Sequence, residues 1–368
     1  MSSSSSRDRY ARGAAMGALA AAAVVGARAF FKPNTQAKRR LLDWDSVRRT
    51  AVERGGRVSA ARRATQSEAY QAFAAELAPL LGEVCPDVPF DVPQITALDR
   101  PAFVDANIRI AQRVLVPVER LRELLPESAA TALSRRMMDR YVGELFGLMS
   151  RRVLGQFDPV LSLDTETTDT AALFMIEPNL DDVQRSSQLD GVALRRWILL
   201  HELTHAWQFS RHPWLSEHIG ESIRRMVVES VSADGTSLLQ SRDVLQRLPE
   251  MLRSQIRTVM SLQSLMSVLE GYSNFVMHRV GERHIEGAAA LQAALRRRRR
   301  ERTAIERLVL TITGLEMKMR QYDVGERFCS QVADRAGLDV LNRVWESAEM
   351  MPTAAELKRP GDWIARVG

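Results

Sequence analysis

Five residues, His201-Glu202-Leu203-Thr204-His205, constrain this chain more than any other stretch. They lie inside a run from Gly191 to Arg211 with helical periodicity. Trp197-Ile198-Leu199-Leu200 precede them and Ala206-Trp207 follow, all uncharged. Residues four apart on a helix sit one turn apart on one face, so both imidazoles can address a single point. A buried helix that brings two imidazoles and a carboxylate into one turn needs a polar partner in front of it. The pattern suits a Zn²⁺ ion held by His201 and His205, with Glu202 touching a zinc-bound water instead of the metal. Zinc lowers the pKa of such a water toward ~7, and Glu202 can then take its proton. The helix should stop at His212-Pro213, because proline cannot continue the hydrogen-bond ladder.

A third ligand must come from elsewhere. A histidine six residues after His205 would mark a metzincin, but that residue is Arg211. Glu217, His218, Glu221 and Glu229 are open as candidates. Glu270 is the choice, because it interrupts an apolar helical face made by Leu262, Leu265, Met266 and Leu269. An acid on such a face needs a cation. Two histidines and one glutamate leave the fourth zinc position open, which is the catalytic arrangement. Gly271 and Ser273 are expected to let this helix approach the pentad helix closely. Tyr272 is the expected oxyanion donor, with Tyr322, His278 and Arg320 as further candidates. Asp158 or Glu229 would orient a ligand histidine from behind.

The remaining pattern predicts a mainly α protein with a small β element beside the site. Helical spacing runs through Ser67–Leu81, Arg100–Leu125, Ala129–Val153, Glu217–Leu239, Ser241–Met260, Ser261–Val280, Ala288–Arg320 and Gln321–Ser347. Asp43 or Ser46 would cap the first helix. Short apolar runs at 153–158 and 172–176 read as strands. The proline-rich stretch Cys85–Leu98 reads as a break. The two cysteines, Cys85 and Cys329, are far apart and suggest neither a disulfide framework nor a cysteine zinc site.

Charge divides the chain. The net charge is +6, yet residues 1–40 hold eight basic residues and one acid, leaving the body near −1. A nucleic-acid binder would bear its surplus on the folded domain, so no nucleic-acid partner is expected. The five arginines 296–300 read as a solvated helix face. Residues 1–40 are an alanine-rich basic extension, and 41–368 the functional domain. Arg28 interrupts the apolar stretch short of a spanning helix. The expected location is cytoplasmic, with membrane contact through residues 13–31 as the alternative.

Several segments together resemble a mostly actinobacterial family of zincin-like metallopeptidases, some of whose members are associated with deazaflavin-coenzyme biosynthesis. They are His201–Phe209 with Pro213-Trp214-Leu215, Asp43-Trp44-Asp45, Gly155-Gln156-Phe157-Asp158, Leu269-Glu270-Gly271-Tyr272, Arg320-Gln321-Tyr322 and Asn342–Ser347. The resemblance spans roughly residues 41–368. It implies a zincin-like fold and a glutamate ligand at Glu270. Where the family tends to have an Ala-Asp-His-like stretch after Glu-Gly-Tyr, this chain has Ser273-Asn274-Phe275. The functional expectation is a zinc metallopeptidase acting on a peptide or protein substrate. A non-catalytic, zinc-stabilised helical scaffold that binds a partner is the alternative.

Overall fold

The computed structural model describes residues 42–52, 56–122, 129–159, 171–232, 242–300 and 315–368. The expected basic extension therefore lies outside the described residues. The order of the main elements is α1 (Trp44–Val52), α2 (Ala60–Leu77), β1 (Gln94–Leu98), α3 (Arg100–Arg122), α4 (Ala129–Arg152), β2 (Gly155–Asp158), β3 (Ala172–Ile176) and α5 (Glu177–Ser187). After these come α6 (Gly191–Arg211), α7 (Trp214–Ser232), α8 (Arg242–Val276), α9 (Ala288–Arg300), α10 (Leu315–Asn342) and α11 (Pro360–Val367). The chain is mainly helical with one small sheet, as expected.

α6 is the axis of the molecule. Asp190 caps it by accepting the Ala193 N–H at 2.6 Å, and the helix ends at His212-Pro213. Leu194, Trp197, Leu199, Leu200, Leu203 and Trp207 are all buried, so apolar contact surrounds it. Each such side chain contributes about 1.5–3 kcal/mol on leaving water. At the other end of the chain, Asp43 caps α1 by accepting the N–H groups of Asp45 and Ser46.

The sheet has the order β1-β3-β2, with β1 parallel and β2 antiparallel to β3. One strand departs from the expected pattern. Gln94–Leu98 falls inside the stretch read as a break, yet it forms β1 on the flank of β3. The prolines end at Pro93, and pairing with β3, distant in sequence, stabilises residues 94–98 as a strand.

α8 is long and ends in a π-turn, Met277–Gly281. It packs along α10 with main chains in contact. A Cβ on Gly271 would lie 2.2 Å from the Gly325 carbonyl carbon, and one on Gly325 would lie 1.8 Å from the Ser267 oxygen. Gly271, expected to bring α8 to the pentad helix, brings it to α10 instead. Among the described residues no helix is long and apolar enough to cross a membrane. Both cysteines are free and buried, and burial pushes the Cys85 thiol up to about 12.

Candidate metal centre

Three predicted ligands converge. His201 Nε2 and His205 Nε2 stand 3.2 Å apart, and Glu270 Oε2 lies 3.5 Å from the first and 3.8 Å from the second. Two ligand atoms each about 2.0–2.1 Å from a tetrahedral zinc lie about 3.3–3.4 Å apart, so the spacing fits that ion. Among the described residues this is the one His/Cys/Asp/Glu group close enough to share a metal. The three side chains are 14–20% exposed, so the cluster opens to solvent.

Hydrogen bonds decide which nitrogens face the centre. Gln208 Nε2 donates to the Leu269 carbonyl at 3.1 Å, which turns Gln208 Oε1 toward His205. That oxygen lies 2.8 Å from His205 Nδ1, so Nδ1 bears the hydrogen and Nε2 presents a lone pair. Ser273 Oγ is also near, at 3.4 Å. The other ligand histidine, His201, turns its Nδ1 to Met277 Sδ at 3.0 Å. Gln208, Ser273 and Met277 are not among the residues expected from sequence. Helical spacing holds the signal: Gln208 is three residues past His205, and Ser273 and Met277 are three and seven past Glu270.

Electrostatics agree with a site made for a cation. Burial opposes ionisation of Glu270, but hydrogen bonds from His201 and His205 outweigh it and hold its carboxyl well below the usual range. Burial also opposes charge on His205, yet Glu270 and Glu202 raise its pKa to about 9. The same convergence that suits a metal thus also favours a proton, which a metal must displace.

Glu202 stands beside this trio and outside it. Gly155 on β2 makes the room: a Cβ there would lie 2.7 Å from Glu202 Cγ and 2.8 Å from its Oε1. The Phe157 main-chain N–H bonds the carboxylate, but burial dominates and raises its pKa. A carboxyl held this way is suited to taking up a proton from water.

Other candidates are placed elsewhere. Tyr272 does not reach the cluster. Two residues after Glu270, it projects from nearly the opposite side of α8. Its ring stacks on Trp207 at 15° and its hydroxyl donates to Asn342 Oδ1 at 2.7 Å. The expected oxyanion role is therefore corrected to one of anchoring α8 against the end of α10. Asp158 bonds Arg113 at 2.6 Å, and the orienting role expected of it falls to Gln208. His278 Nδ1 pairs with Glu326 at 2.7 Å. Glu221 pairs with Arg225 at 3.5 Å and with Arg224, away from the cluster. His212 is stacked on Trp345. The side chains of Glu229, Arg320 and Tyr322 lie outside the described residues. Arg296 and Arg297 are exposed on α9.

No curated relative matches the chain. Among solved structures it is similar to a protein from Chloroflexus aurantiacus described as a hydrolase candidate with a novel fold. The two share 30% identity and a TM-score of 0.67, over 88% of this chain and 98% of that one. Neither comparison bears on a coenzyme link. The family description of zincin-like metallopeptidases matches residues 42–364, nearly the whole described chain and every residue of the ligand cluster. The chain belongs to the zincin-like metallopeptidase family.

Proposed function

We propose that this protein is a zinc-dependent hydrolase that cleaves peptide bonds. The observation that supports it best is the separation of roles along one turn of α6. His201 and His205 converge with Glu270, while Glu202 is held apart by Gly155 and the Phe157 N–H. Among the described residues three ligands meet and no fourth, which leaves a coordination position for substrate or water and argues against a purely structural zinc. A bound zinc supplies a Lewis acid and acidifies a water molecule. Glu202 accepts the proton of the attacking water and returns it to the departing amine. Its raised pKa makes it a stronger base for the first of these steps, and its burial excludes competing solvent.

Membership of a metallopeptidase family favours a peptide over other amides. β2 is an outer strand whose Phe157 N–H, on the side away from β3, is taken up by Glu202. The solved relative described as a hydrolase candidate agrees in reaction class.

Purified protein should contain about one zinc per chain. Glu202→Gln should retain that zinc while hydrolysis of unstructured peptides falls by about 10²–10⁴-fold, the contribution of a general base. Undiminished hydrolysis in that variant would overturn the mechanism.

A further inference from the structure

The two ligand histidines are oriented by different chemistry. His205 has an amide oxygen behind it, from Gln208 at 2.8 Å. His201 has sulfur: Met277 Sδ lies 3.0 Å from its Nδ1. Histidines that bind metals almost always donate their second N–H to an oxygen. A thioether is a weak acceptor and has no hydrogen to donate, so the proton between them must sit on Nδ1.

The placement of Met277 does not follow from generic packing alone. Glu270, Ser273 and Met277 form one stripe of α8, because seven residues bring a helix to within about 20° of its starting face. His201, His205 and Gln208 form the facing stripe of α6. The two stripes run antiparallel: Met277 meets His201, Ser273 meets His205, and Leu269 meets Gln208. Met277 is also the first residue of the π-turn. That turn is held on two sides. A Cβ on Gly281 would lie 2.6 Å from the Trp197 ring on α6, and His278 bonds Glu326 on α10. Single π-turns interrupt helices frequently at functional sites. Here the turn fixes the position of the sulfur.

We infer that Met277 is a positioning residue: its thioether accepts the His201 Nδ1–H and so determines that Nε2 faces the cation. Both orienting partners are then uncharged. Among the ligands and the groups behind them only Glu270 bears a negative charge, which keeps the centre more electrophilic than one whose histidines are backed by a carboxylate.

This inference rests on the zinc reading, and its test separates the two. Met277→Leu conserves volume and apolar packing but removes the acceptor. Met277→Gln restores an acceptor of similar reach. Zinc affinity, measured by chelator competition, should fall about 10-fold or more in the leucine variant, as for loss of an orienting partner. The glutamine variant should stay within about threefold of the parent. Nitrogen-15 NMR of the metal-free parent should show a hydrogen on His201 Nδ1, and a partial loss of it in Met277→Leu. Equal zinc affinity in Met277→Leu and the parent would sink the inference. So would a metal-free parent whose His201 Nδ1 bears no hydrogen, a result that needs no variant to fold. If the parent takes up no zinc while His201 keeps its proton on Nδ1, the zinc reading fails and the role of Met277 stands.

Discussion

Two polar clusters are buried along α6, about 9 Å apart by helix rise, and they are completed in opposite ways. At Arg195 the cluster is closed. The guanidinium bonds Glu177 at 2.9 Å and Asp181 at 2.7 Å, Tyr70 donates to Glu177, and Arg62 reaches Asp181 at 2.8 Å. The chain supplies both signs of charge. Six residues on, at His201, the second cluster begins: Glu202 and Glu270 face two histidines, and among the described residues no lysine or arginine bonds either acid. The first cluster holds α2, α5 and α6 together. The second is complementary to a charge that the chain does not itself provide. A buried charge set that is closed serves architecture, and one that is left open serves a ligand.

The sharpest way to break this contrast is to exchange the consequences. Arg195→Met leaves Glu177 without its main cation and should destabilise the metal-free fold by about 3–5 kcal/mol in chemical unfolding. Glu270→Gln should cost the metal-free fold less, about 1.5–3 kcal/mol, because it removes hydrogen bonds to a charged carboxylate but leaves no unpaired buried charge. It should also abolish the stabilisation of about 2.7 kcal/mol expected for the parent when zinc is at 100 times its Kd. A well-tolerated Arg195→Met, or a Glu270→Gln variant still stabilised by zinc, would erase the distinction.

Gly155→Ala tests whether the open cluster depends on space as well as charge. The new methyl group would meet the Glu202 carboxylate and push it aside. Displacement of a reacting group by about 1 Å lowers turnover about 100-fold. Zinc content should stay unchanged, because the three ligands are not touched. A loss of zinc instead would show that β2 shapes the ligands and not only the base.

The smallest effect concerns His212, which lies beyond both clusters at the end of α6. Burial between Trp207 and Trp345, with Asp87 and Arg211 nearby in opposition, lowers its pKa to about 4. Its Nε2 has no hydrogen-bond partner, so protonation there gains nothing. The unfolded chain takes up this proton near pH 6.5, whereas the folded one resists it until about 4. Stability is therefore full above pH 6.5, declines as pH falls toward 4, and levels below it. Allowing for partial solvent screening, the decline should be about 1–2 kcal/mol. His212→Phe keeps the stacking and should flatten this slope in metal-free urea unfolding between pH 7 and 4.5. An unchanged slope would remove His212 as its source.

Legibility in the sequence tracks the range of each interaction. The end of α6 is readable because His212-Pro213 acts on its own neighbours. Glu270 is readable because one acid on an apolar stripe needs a partner. Tyr272 misleads because its neighbour in sequence stands on the opposite face of the helix. β1 escapes notice because its partner, β3, is remote in sequence. Gln208 and Met277 share a helix face with a ligand, but which histidine each one meets emerges only once the two helix stripes are set against each other.

The glycine joint between α8 and α10 has a corollary for how this scaffold can change. Its contact is backbone on backbone, so no rotamer is available there to absorb an alteration. Residue 270 is one peptide away and inherits its bearing from that joint. Architecture and chemistry are thus inseparable at this spot, and diversification must proceed on surfaces in front of the helix pair while the pair serves as a fixed chassis.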